Sequence, residues 1–308
     1  METVESKKPN LGPVYLVCAA VLWSTAGVLT KFIPWSALTV ASLRGVIAAL
    51  VQILCTRTFR IRLTRPVLLT AFFYLGETLL FTIANKMTSA GSAIVLQNTS
   101  PLYIILMSLI VLKQKPSKLD CCVGAVIFSG IILSMVDTLR GGTLPGTNPV
   151  LGNLLALLSG VFYAGIFFTS RLPGANPLYS AILGNALYVL LLPSLLFDPA
   201  LLHPAADAVP AWQSWAAILF MGVCQMGLSW ICFSKGIATT PALQASFITM
   251  IEPVLNPLLA LLLLGEAMGT LSVIGSVLVV ATIVTHSILT IRLQEKQAKT
   301  EHPPEKSA

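Results

Sequence analysis

The chain has 308 residues, 56% of them hydrophobic and only 10% charged, with a mean hydropathy of +0.85. A water-soluble domain of this size carries roughly a quarter charged residues, so the composition excludes one. The net charge of +7 sits in short segments between apolar runs, which excludes a nucleic-acid footprint and points to a membrane surface.

Residues 1–10 form a polar tail with no small-residue cleavage site after a short apolar core, so no signal peptide is expected. Ten apolar runs follow, each near the ~20 residues that cross a bilayer's hydrocarbon core. They are predicted at Leu11–Phe32, Ser36–Cys55, Pro66–Asn85, Ser89–Leu112, Leu119–Val136, Val150–Thr169, Leu178–Phe197, Trp212–Phe233, Ala242–Leu264 and Thr270–Ile291. The fold class expected is therefore an all-α integral membrane protein of ten transmembrane helices. Five fall in 11–137 and five in 150–291, joined by a Gly- and Pro-rich linker at 138–149 and followed by a charged tail at 292–308. Trp35, Trp212 and Trp215 stand at span ends, where tryptophans anchor the membrane–water interface. The six cysteines show no metal-ligand spacing and read as small hydrophobes.

Lys and Arg concentrate in cytoplasmic loops. With the N-terminus inside, the inner segments hold Lys7, Lys8, Arg57, Arg60, Arg62, Arg65, Lys113, Lys115, Lys118, Arg171, Lys235, Arg292, Lys296, Lys299 and Lys306, whereas the outer loops hold only Lys31, Lys86 and Arg140. Both termini are expected in the cytoplasm and the protein in the plasma or inner membrane. Five spans per half make the second half enter from the opposite side.

The halves also repeat in sequence. At a shift of 152 positions Thr88, Ala90, Ala93, Pro101, Leu106, Leu109 and Leu112 fall on Thr240, Ala242, Ala245, Pro253, Leu258, Leu261 and Leu264. A shift of 140 sets Trp23 on Tyr163 and Lys31 on Arg171. Inverted repeats in an apolar chain mark a carrier whose site lies between them.

On the ninth span Ala242, Ala245, Thr249, Glu252 and Asn256 step by three and four and so share one helical face. The equivalent stripe on the fourth span is Ala90, Ala93, Gln97, Ser100 and Ile104. Small residues of this kind serve close helix packing as readily as a cavity wall. Glu252 is different, because a mid-membrane carboxylate costs about 2.5–3.5 kcal/mol unless it faces water or a partner. Pro101, Pro253 and Pro257 each remove a helical donor, and broken backbone at that depth is tolerated only against protein or a water-filled cavity. Glu77, at the middle of the third span, shares a face with Thr70, Tyr74, Phe81 and Asn85. Either Arg44 pairs with it, making it scaffolding, or it is free to carry protons. Trp23, Tyr74, Tyr103, Tyr163, Trp230 and Gln225 lie deep inside spans and suit an aromatic wall for an amphipathic organic substrate or a cation.

The chain resembles the drug/metabolite transporter superfamily, specifically its ten-span EamA-type exporters. The residues that carry the resemblance are Trp23-Ser24, Arg44, TSAGSAIVLQNTSPL from Thr88 to Leu102, the AxxASxxxxxEP run from Ala242 to Pro253, and LGE at Leu264–Glu266. The family often ends both the fourth and ninth spans with Gly-Glu; here Lys113-Gln114 replaces the first pair. The resemblance implies export or exchange of small metabolites by alternating access, through a cavity lined by spans one, three, four, six, eight and nine. On this basis the substrate-binding residues are expected to be Trp23, Tyr74, Gln97, Ser100, Tyr163, Trp230, Thr249, Glu252 and Asn256, with Glu77 and Glu252 as proton-coupling candidates. Amino acids or related compounds are the expected cargo, membrane lipid the other partner, and a monomer or homodimer the assembly. Uptake of a nutrient such as choline or a sugar, or a membrane enzyme or assembly factor acting on lipid, remain alternatives. No GxxxxGK[ST] loop, HExxH motif or metal-ligand cluster is present, so neither cofactor nor direct ATP drive is expected.

Overall fold

The computed structural model describes residues 11–301 except 101, 104–105, 107–108, 110–112, 114–117, 141–147, 171, 206–208, 241–247 and 250. Helices build all the regular structure among these residues. They are α1 (Gly12–Ser24), α2 (Ala26–Phe32), α3 (Ala37–Thr56), α4 (Arg65–Met87), α5 (Ala90–Gln97), α6 (Lys118–Arg140) and α7 (Pro149–Thr169). Then come α8 (Pro177–Leu187), a 3-10 segment (Tyr188–Phe197), α9 (Pro199–Leu202), α10 (Ala211–Phe220), a π-helical segment (Met221–Leu228), α11 (Ser229–Thr239), α12 (Ile251–Leu264) and α13 (Thr270–Glu301). Among the described residues, six continuous stretches are long and apolar enough to cross a membrane, with shorter apolar helices at Cys121–Asp137, Ile251–Leu264 and Thr270–His286. Apolar side chains such as Leu54, Phe72, Leu190, Leu262 and Val277 point outward, as they must when the surroundings are lipid.

Local sequence fixes most helix starts. Ser36, Thr64, Ser89, Asn148 and Asn176 each accept a hydrogen bond from the amide three residues on, satisfying a donor the helix itself cannot. Proline in the first turn, where no amide is required, strengthens α4, α7 and α8. Asp198 caps α9 and also reaches across to the Ser36 amide at 2.7 Å. Burial pushes its carboxyl up, but hydrogen bonds from Thr39, Ser36 and Leu201 outweigh that and hold it below the usual carboxylate range.

Tertiary packing joins the two halves of the chain throughout. α4 lies along α7, α6 along α13, α1 along α11, and α3 against the π segment and the 3-10 segment. α4 also meets α8, while α5 packs on α7 and α12, and α1 on α12. Glycines set the closest approaches. A Cβ on Gly275 would stand 2.5 Å from the Gly130 carbonyl oxygen, so α6 and α13 cross backbone to backbone. The Trp35 ring, expected at the membrane interface, is buried in the protein and stands edge-on to Trp215 at 4.9 Å.

The end of the molecule where α2, α5 and α12 meet is pinned by one carboxylate. Gly265 takes φ +64, which only glycine adopts without strain, and this turn lets the Gly265 and Glu266 amides cap the Leu261 and Ala260 carbonyls. Glu266 is thereby turned back so that its Oε1 accepts from Lys31 Nζ at 2.9 Å and from the Ala90 amide at 3.0 Å.

Candidate functional site

Three irregularities break the helices at mid-depth, and each has a local cause. Ser24 and Thr25 donate their hydroxyls back to the Val21 and Leu22 carbonyls at 2.7 Å, which competes with the helix ladder and separates α1 from α2. Asn98 and Thr99 bond back to Ile94 and Leu96 where α5 ends at Gln97. The π segment holds Gly222 and Gly227, and a Cβ at Gly227 would stand 2.8 Å from the Gly222 carbonyl. Widened turns of this kind recur at functional sites, and irregular backbone at membrane depth needs a protein or cavity lining.

All three border the same part-open cavity between the two halves. Its wall is formed by Trp23, Ala26, Arg44, Glu77, Thr78, Phe81, Gln97, Tyr163, Gln225, Met226, Trp230 and Glu252. A second, largely apolar cavity shares Trp23, Tyr163 and Trp230 with it and runs past Tyr74 and Phe233 to Ser170 and Pro177. The shared rings form the partition. Trp23 and Trp230 lie 5.3 Å apart centroid to centroid, Tyr74 and Trp230 4.8 Å, and Phe233 completes the cluster within 5.1 Å of Trp23.

Of the residues singled out from sequence, Trp23, Gln97, Tyr163, Trp230, Glu252 and Glu77 converge on the polar cavity. Tyr74 lines only the apolar one, its hydroxyl donating to Asn185 Oδ1 at 3.2 Å. Ser100, Thr249 and Asn256 are buried but line neither. Asn256 lies one turn beyond Glu252, beside Gly27, where any larger side chain would collide with its Oδ1. Pro257 packs against Gly91 and Pro253 sits in the first turn of α12, whereas Pro101, Ile104, Ala242, Ala245 and Arg171 lie outside the described residues. Sequence reasoning passed over Ala26, Thr78 and Met226. For Met226 the signal was the pair Gly222 and Gly227 inside one span; for Ala26 and Thr78 there was none.

The open question over Glu77 is answered by geometry. Arg44 donates from Nη2 to the Thr78 carbonyl at 3.2 Å and to Thr82 Oγ1, and no ion pair forms with Glu77. Glu77 instead accepts from Gln97 Nε2, joining α4 to the end of α5. Arg44 acts on Glu77, and Glu77 on Glu252, through the electric field across the cavity. Three polar atoms on the wall have no hydrogen-bond partner: Trp23 Nε1, Arg44 Nε and Gln225 Oε1.

An apolar helical shell around a part-open cavity, walled by aromatic rings and lined by two carboxyls and a guanidinium, is the architecture of a membrane protein. The comparisons with known proteins agree. The EamA-like transporter family matches residues 10–136 and again residues 150–288, and the chain belongs to that family. It is similar to YwfM, an uncharacterized transporter of Bacillus subtilis (strain 168), with 22% identity over 276 residues, 87% of this chain and 90% of that one. An uncharacterized transporter of Clostridium kluyveri is 23% identical over 203 residues, 65% of this chain and 64% of its own. A crystal structure at 19% identity superposes with a TM-score of 0.60 over 90% of this chain and 97% of that one, which is a likeness of fold.

Proposed function

We propose that this transporter is a secondary carrier that exports or exchanges small organic metabolites across the cell membrane by alternating access, built from ten spanning helices in two inverted five-helix repeats. The observation that carries this reading is the polar cavity between the two halves, bordered by three of the helix breaks among the described residues. The repeat reading draws support from packing, because exchanging each helix for its counterpart in the other half maps the main contacts onto one another. α4 on α7 becomes α11 on α1, α5 on α7 becomes α12 on α1, and α6 on α13 becomes itself. Side chains follow the same exchange: Trp23 answers Tyr163, and the repeated stripes of the fourth and ninth spans each send one residue, Gln97 and Glu252, to the cavity wall.

With both termini in the cytoplasm, the apolar cavity runs toward the inner side and the Lys31–Glu266–Ala90 pin closes the outer side. The conformation is then inward-leaning, with the aromatic partition between substrate chamber and exit. Rocking of the bundles would release the pin and open the chamber outward. Glu77 and Glu252 are the proton carriers in such a cycle, and the protein performs no covalent chemistry. The test is counterflow in proteoliposomes: preloaded unlabelled metabolites must drive uptake of labelled ones without ATP, and absence of exchange for every metabolite class would refute the carrier.

A further inference from the structure

We infer that the loop between α3 and α4 lies in the headgroup layer of the bilayer and binds anionic phospholipid. Arg60 and Arg62 hold the phosphate groups, while Phe59 and Leu63 sit among the first carbons of the acyl chains. The loop's place follows from its neighbours. α3 ends at Thr56 and α4 begins at Arg65, and both are long and apolar enough to cross a membrane, so the short connection between them stays at its surface. Both ends of the loop are fixed. Arg57 takes φ +52 and the Thr58 amide closes on the Ile53 carbonyl at 3.1 Å, which terminates α3. Thr64 donates its hydroxyl to the Gly174 carbonyl at 2.9 Å, and its amide folds back on the Arg62 carbonyl at 3.0 Å. Gly174 stands between Ser170 and Pro177, so the loop is tied to the segment that borders one end of the apolar cavity.

Composition and exposure name the partner. From Phe59 to Leu63 apolar and basic residues alternate, and the two outer apolar members project from the protein, Phe59 at 72% exposure and Leu63 at 63%. Arg57, Arg60, Arg62 and Arg65 are exposed as well. Among the described residues none of the four forms an ion pair or donates a side-chain hydrogen bond. Their charge is therefore unanswered within the protein, and a guanidinium fork matches phosphate oxygens two at a time. A soluble anion would satisfy the arginines but leave the ring and the leucine in water. A neutral lipid would cover the apolar pair and leave the charge unbalanced. An anionic phospholipid does both, because arginine stems reach up to the headgroups while their apolar neighbours enter the acyl boundary.

Native mass spectrometry of the purified full chain, titrated with phosphatidylglycerol or phosphatidylcholine of identical acyl chains, tests this. Each basic residue at an anionic surface contributes roughly fivefold in affinity, so phosphatidylglycerol should bind at least about tenfold tighter than phosphatidylcholine. Arg60→Gln combined with Arg62→Gln should bring the two lipids to within about threefold of each other, and the matching Lys pair should keep part of the preference. Equal binding of both lipids to the wild-type chain overturns the inference. So does a preference that the double Gln variant leaves unchanged, which would place the lipid elsewhere on the basic surface. Glycerol phosphate, which has no chains for Phe59 and Leu63, should not displace the lipid; displacement would mark a site for a soluble anion instead. Depth is read separately in Phe59→Trp, where the arginines are intact. In phosphatidylglycerol vesicles its added fluorescence should be quenched by bromine on the acyl chains, and quenching by aqueous acrylamide alone would overturn the inference even if the double variant fails to fold.

Discussion

Glu266 performs two tasks with one oxygen, and they can be separated. Glu266→Ala removes both the contact to Lys31 and the cap on the Ala90 amide, whereas Lys31→Ala removes only the first. The paired side chains are 23% and 21% exposed, and ion pairs near solvent contribute roughly 0.2–1 kcal/mol. A charged acceptor on the first turn of a helix contributes about 0.5–2 kcal/mol. Glu266→Ala should therefore cost about 1–3 kcal/mol against at most about 1 for Lys31→Ala, with Glu266→Gln between them because it keeps an acceptor for Ala90. Reversible unfolding in mixed micelles measures the order. Raising the salt concentration should remove most of the Lys31 effect by screening while leaving most of the Glu266→Ala effect. Equal costs for Lys31→Ala and Glu266→Ala would refute the assignment of the cap as the larger contribution.

Other expectations follow from the same geometry. Glu252→Gln should abolish any pH dependence of counterflow in proteoliposomes, and an unchanged pH profile would remove Glu252 from coupling. Trp230→Ala should merge the two cavities, so a cysteine placed at Ala26 becomes reactive toward a membrane-impermeant thiol reagent from the side of Ser170; unaltered labelling would mean that the rings are no partition. Gly275→Val forces a branched side chain onto the Gly130 carbonyl, where only backbone movement gives relief. Overpacking of that kind costs about 1–3 kcal/mol, visible as a lower melting temperature in detergent.

Much of the architecture was legible in the chain itself. Hydropathy located the apolar helices because lipid leaves backbone groups nowhere else to bond. Asn148-Pro149, Asn176-Pro177 and Asp198-Pro199 stand at helix starts in the structure, a local signal of capping and a missing proline amide that the sequence reading left unused. Departures came where helical geometry changes within a span. The seventh predicted span, Leu178–Phe197, is α-helical only to Leu187 and continues as a 3-10 segment containing Pro193. The eighth carries the π segment, whose extra residue per turn rotates Gln225 and Met226 onto the cavity wall.

The sequence by itself determined which side chains were too costly to leave in lipid: Glu77, Glu252 and Arg44 announce themselves by charge, wherever the helices go. Which of them meet was decided only by tertiary structure. Periodicity put Glu252 and Asn256 on one face of α12, but a face is long. Glu252 reaches the chamber, while Asn256, one turn on, meets Gly27 where α2 closes against it. Arg44 was as eligible for Glu77 as Gln97 was, since spacing along one helix carries no information about its neighbour's height. The crossing of α3 and α4 set the guanidinium against Thr78 and Thr82, and the end of α5 set Gln97 against Glu77. Helix periodicity is local, whereas the relative height and rotation of packed helices come from contacts such as Gly130 on Gly275 that no single segment encodes.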